Sequence, residues 1–82
     1  MTKIEISIHA FDVMSNRKIR KSWVEEVVKS PSVTFCIDEN EMHLYGTIKE
    51  NDGRCLKVIF NPLTNVVITA FFDRKMRKKG CT

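Results

Sequence analysis

The hydrophobic spacing changes once along this chain, at Pro31, and that change decides what it can fold into. Before it, Ile19, Trp23, Val24, Val27 and Val28 recur at helical intervals. After it, from Val33 onward, the period falls to two and the punctuation becomes that of turns. Helices followed by strands make an α+β domain in which the helices share one face of a sheet. A chain of 82 residues buries about two thirds of its unfolded surface, enough for one core and no second domain.

Ile4 and Ile6 alternate with Glu5 and Ser7, which suits a short extended edge ahead of the first helix. Ser7 is placed to cap that helix, and Ala10, Phe11 and Met14 recur as a core-facing stripe. In the second helix Ser22 and Glu25 have the spacing of a capping box, and Pro31 ends it. Strands are expected at residues 33–37, 42–48, 55–60 and 66–72, with turns at Asn51, Asp52 and Gly53 and at Asn61, Pro62, Thr64 and Asn65. Connections this short favour successive antiparallel pairing. The expected fold is therefore two N-terminal helices packed on one face of a four-stranded antiparallel sheet, to which residues 3–7 can add a short N-terminal edge strand. Residues 1–73 form the domain and residues 74–82 a basic tail that orders on binding.

Alternation sorts the strand residues onto two faces. Met42, Leu44, Ile48, Leu56, Val58, Phe60, Val66, Ile68, Ala70 and Phe72 are expected beneath the helices. His43, Tyr45, Thr47, Lys57 and Thr69 fall on the other face, with Cys55, Ile59, Val67 and Phe71 among them. A face offering an aromatic ring, an imidazole, a hydroxyl and a lysine suits single-stranded RNA, and it equally suits the wet side of an antiparallel sheet.

Fourteen Lys and Arg stand against ten Asp and Glu, and the excess is concentrated in two runs. One is Arg17, Lys18, Arg20 and Lys21; the other is Arg74, Lys75, Arg77, Lys78 and Lys79. Such clusters serve a phosphate backbone, an anionic membrane surface or an acidic protein, or stay solvated. No apolar run has the length of a signal peptide core or a bilayer span, so no membrane partner is expected and a reducing cytoplasm is the default. Cys36, Cys55 and Cys81 are odd in number and lack close paired spacing, which argues against a disulfide framework and a zinc knuckle. A metal site built from His9, His43, Cys36 and Cys55 would have to be assembled across the fold, so neither metal nor cofactor is expected. The second helix spends its best face on Trp23, Val24, Val27 and Val28, which disfavours a DNA-reading role.

His9-Ala10, Arg17 with Ile19, Val24, Val27 and Val28 before Pro31, Tyr45-Gly46, Leu56 with Val58, and Val67-Ile68-Thr69-Ala70 follow one another in an order that covers nearly the whole chain. That order resembles a bacterial family of small proteins of unassigned function whose genes often neighbour antitoxin-like genes. The family is similar to the RelE and BrnT toxins, whose fold also includes barnase and EndoU. The resemblance implies a toxin of a toxin–antitoxin system, with an acidic antitoxin as partner and RNA, on or off the ribosome, as substrate. The implied activity is metal-independent endoribonuclease cleavage, in which a ribose 2′-hydroxyl attacks the adjacent phosphate.

Such cleavage needs proton transfer and an offset for charge growing on the phosphate. His9 is the first candidate for proton transfer, because an imidazole exchanges protons near neutral pH; a helix-start histidine bonded to backbone is the other account. Arg17 suits phosphate clamping through its planar fork, and Thr69 matches the family's hydroxyl position in the last strand. These three are expected to converge on one pocket. Tyr45, His43, Lys57, Arg54, Arg74 and Lys75 are the expected RNA contacts; Tyr45 can also cover the backbone at Gly46, and His43 lies outside the family pattern. The competing function is a non-catalytic module that holds nucleic acid or an acidic protein.

Overall fold

Ser7 ends the first strand and starts the first helix, and one side chain accounts for both. Its backbone is extended, with φ −63° and ψ 159°, and its Oγ accepts from Ala10 N at 3.0 Å. The same hydroxyl donates to Ile68 O at 3.0 Å, and Ser7 N donates to Val67 O at 3.1 Å. The cap thus fastens the start of the helix to the last strand. Ser7→Ala is expected to lower stability by about 1–2 kcal/mol in urea unfolding, since it removes a cap and a tertiary hydrogen bond together. Ser7→Asp, which keeps the acceptor and loses the donor, should recover part of that loss.

The computed structural model describes residues 4–75. In chain order the elements are β1 (Glu5–Ile6), α1 (Ile8–Arg17), α2 (Lys21–Lys29), β2 (Val33–Asp38), β3 (Glu41–Ile48), a 3₁₀ turn (Lys49–Asn51), β4 (Arg54–Asn61) and β5 (Val66–Phe72). Lys18, at φ 56°, takes the left-handed conformation that stops α1, and Ile19 N reaches back to Met14 O at 2.8 Å. The expected capping box in α2 does not form. The helix is capped by Arg20 with no side-chain hydrogen bond, so Ser22 already lies inside the first turn.

The sheet order is β1-β5-β4-β3-β2. The pairs β2–β3, β3–β4 and β4–β5 are antiparallel, as their short connections require. The first pair differs: β1 runs parallel to β5, with Glu5 opposite Val66 and Ile6 opposite Val67. This corrects the expected four-stranded antiparallel sheet to a five-stranded mixed one. The two helices carry the chain from β1 at one edge to β2 at the other, and the antiparallel strands then return to β1.

Ala10 and Met14 of α1, Ile19, and Trp23, Val24 and Val27 of α2 pack with Leu44, Ile48, Leu56, Val58, Phe60, Val67 and Ala70. Three inward assignments fail, those of Phe11, Val66 and Ile68. Phe11 is 62 % exposed, because the buried line of α1 passes through Ala10 and Met14 alone. In β5, Ile59 pairs with Thr69 while Phe60 pairs with Val67, so Ile68 is an extra residue, a bulge. The bulge reverses the alternation before it: Val67 is fully buried and Ile68 is exposed, where period two without interruption required the opposite. Ser7 grips the backbone at this point.

Behind β3, α2 comes close enough that a Cβ on Gly46 would lie 2.9 Å from Val27 Cγ2. Cys36 is exposed and free, whereas Cys55 is buried and disulfide-bonded, against the expectation drawn from cysteine number and spacing. Past β5, Asp73 N donates to Cys55 O at 2.8 Å and its carboxylate accepts from Lys75 N at 2.9 Å. The expectation that the basic tail orders only on binding falls largely on residues 76–82, which lie outside the described residues. Among the described residues no helix is long and apolar enough to cross a membrane.

Candidate functional site

The sheet face turned away from α1 and α2 is organised in rows set by strand register. Phe35, His43, Ile59 and Thr69 lie side by side across β2, β3, β4 and β5, and Val33, Tyr45, Lys57 and Phe71 form the next row. Directly paired residues share a face, so each row presents its side chains together. Adjacent strands lie about 4.8 Å apart, which places His43 and Thr69, two strands apart, about 10 Å from one another.

Within the second row Lys57 stands between two rings. Its Nζ is 5.5 Å from the Tyr45 ring centroid and 5.5 Å from that of Phe71. The Phe35 ring meets Tyr45 edge-on, with centroids 5.8 Å apart and planes at 90°. These neighbours leave Tyr45 buried, while Phe35 remains 48 % exposed at the edge of the face. The ammonium is thereby held against ring faces with donors left to offer.

In the first row His43 is held by Glu41, two residues earlier on the same face, through Nε2 and Oε2 at 2.6 Å. A neutral imidazole donating through Nε2 keeps Nδ1 as an acceptor. The side chain of His43 is 19 % accessible and that of Glu41 39 %, so the pair is reachable from solvent.

The structure therefore gathers His43, Tyr45, Lys57 and Thr69 on one face, as alternation indicated. His9 and Arg17 are elsewhere. Both are exposed on α1, one in its first turn and one in its last, about 12 Å apart along the axis by helical rise. α1 packs on the inner face, whereas Thr69 stands in the outer row beside Ile59 and His43. Arg54 is exposed at the start of β4, opposite Ile48, and Arg74 and Lys75 are exposed just beyond β5.

Three outer-face contributors escaped sequence reasoning: Phe35, Phe71 as a partner of Lys57, and Glu41. Glu41 and His43 at positions i and i+2 of one strand were the available signal, since that spacing puts both on one face. A separate cluster joins α2 to the 3₁₀ turn, where Glu50 accepts from Trp23 Nε1 and pairs with Arg20, each at 3.5 Å. It is exposed and structural, and it contributes little to stability. A cavity of about 390 Å³, lined by Ile4, Glu5, Ile6, Phe11 and Lys21, opens at the corner of β1 and α1. Among the described residues no three His, Cys, Asp or Glu side chains stand together as metal ligands.

Residues 6–72, which span β1 to β5, match a family described as Domain of unknown function (DUF4258). No curated protein and no solved structure matches the chain.

Proposed function

The chain belongs to the DUF4258 family, and from that premise we propose that its outer sheet face binds single-stranded RNA. The observation that carries this is the Lys57 ammonium set 5.5 Å from the rings of Tyr45 and Phe71, with the exposed ring of Phe35 edge-on to Tyr45. Bases stack on Phe35, the backbone meets Lys57, and Arg74 and Lys75 lengthen the cationic track at the end of β5. Arg54 offers a further phosphate contact. An acidic protein, such as an antitoxin, would compete for the same cations and so inhibit by occlusion.

Anisotropy of a labelled single-stranded oligoribonucleotide, titrated at several salt concentrations, tests this reading. Affinity should fall as salt rises, and Lys57→Gln should reduce the log–log slope by about 0.7, the share of one phosphate contact. Phe35→Ala should weaken binding by about 1–3 kcal/mol, as one lost stacking platform does. Absence of binding at low salt, or wild-type affinity in both variants, removes the proposal.

A second reading, favoured by the His43–Glu41 pair, makes this face a metal-independent endoribonuclease and relates the chain to the RelE and BrnT toxins. The 2′-oxygen gives its proton to His43 Nδ1 as it bonds to phosphorus, the P–O5′ bond breaks, and the departing oxygen takes a proton from solvent. Lys57 and Thr69 offset charge on the phosphate. The competing placement puts proton transfer on His9 and clamping on Arg17, with the substrate on α1.

A further inference from the structure

We infer that the chain dimerises through β2, which pairs antiparallel with β2 of a second copy about a twofold axis normal to the sheet. This inference does not depend on the RNA reading. An edge strand presents unpaired backbone donors and acceptors, and proteins guard such edges by shortness, lysine, proline, bulges or cover. The β1 edge is two residues long and needs no further guard. The β2 edge is six residues long and contains neither Lys nor Pro. Its guards, the bulge between Cys36 and Asp38 and the charge of Asp38, both lie at its C-terminal end. Phe35 and Ile37 are apolar and 48 % and 53 % exposed.

Two observations select a second copy as the occupant. The first is cover: on the helix side Thr34 and Cys36 are exposed, so the helix layer stops short of β2. Two copies joined edge to edge would meet at bare strands, with their helix layers set apart. The second is charge. Asp38 and Glu39 end the strand, while Lys29 closes the helix that precedes it. Antiparallel apposition lays the acidic end of one copy beside the basic approach of the other, twice. A twofold axis normal to the sheet also keeps like faces together, so both outer faces join into one continuous surface.

Sedimentation equilibrium of the full chain, from low micromolar to high micromolar concentration, should show mass rising from one copy to two. Phe35→Lys with Ile37→Lys places two charges on exposed positions of the edge; it should keep the wild-type circular dichroism and weaken dimerisation at least tenfold. Amide hydrogen exchange across the same concentrations should slow within residues 33–38. A wild-type chain that stays monomeric, a double variant that dimerises as well as wild type, or a dimer without slower exchange in β2 overturns the inference.

Discussion

Gly46→Ala is expected to destabilise the protein by about 1–3 kcal/mol, the range for forcing an extra methyl into a packed core. The added Cβ would sit 2.9 Å from Val27 Cγ2, nearer than carbon atoms approach without strain. Val27 is 2 % exposed and β-branched, so it has little rotamer freedom with which to retreat, and the backbone of β3 is held by β2 and β4 on either side. The remaining response is to lift α2, which would loosen Trp23, Val24 and Val27 together. Val27→Ala alone should cost about 2 kcal/mol through lost burial and a small cavity. The double variant should cost less than the two singles summed, by about 1 kcal/mol, because the new methyl fills the space the old ones leave. Urea unfolding of the four proteins measures the cycle. Strict additivity would mean that α2 does not rest on Gly46.

What the sequence made legible follows from how many residues voted for each feature. The four long strands and both helices were readable because each carries several apolar residues at one period. β1 was legible as a short extended edge, but nothing local to Glu5 and Ile6 states that they pair with β5 or run parallel to it. The Ile68 bulge escaped for a related reason. Val66 to Phe72 is apolar at nearly every position, so alternation alone leaves its register open. At the bulge its backbone is bonded by Ser7, sixty-one residues before Ile68, through hydrogen bonds that no local pattern encodes. Phe11 misled because an aromatic ring at helical spacing resembles a core residue when the helix's neighbours are unknown.

The outer face was legible wherever strand parity held. On β3 and β4 it places His43, Tyr45 and Lys57 together without knowledge of pairing. Thr69 joins them because it lies beyond the bulge, where the alternation is regular again. Phe35 needed the β2–β3 register, in which it faces His43 and leans on Tyr45. His9 and Arg17 drew attention by residue type and position in a family-like order, and order along a chain carries no information about which side of a sheet a helix covers.

That difference makes the two imidazoles separable in one assay. With RNA in the presence of chelator, the outer-face reading expects His43→Ala to slow cleavage about a hundredfold or more, the range for loss of a positioned acid–base group. Glu41→Gln keeps an acceptor that orients the ring through Nε2, so a smaller loss is expected, in the rate constant more than in RNA affinity. His9→Ala, exposed on α1 and outside both rows, should change the rate by less than about threefold. The opposite pattern, with His9→Ala inactive and His43→Ala active, moves the chemistry to α1 and Arg17. If every variant and the wild type leave RNA intact while anisotropy still reports salt-sensitive binding, the face holds RNA without cutting it. The ring-flanked lysine is then the functional group, and the imidazole pair serves to fix the start of β3.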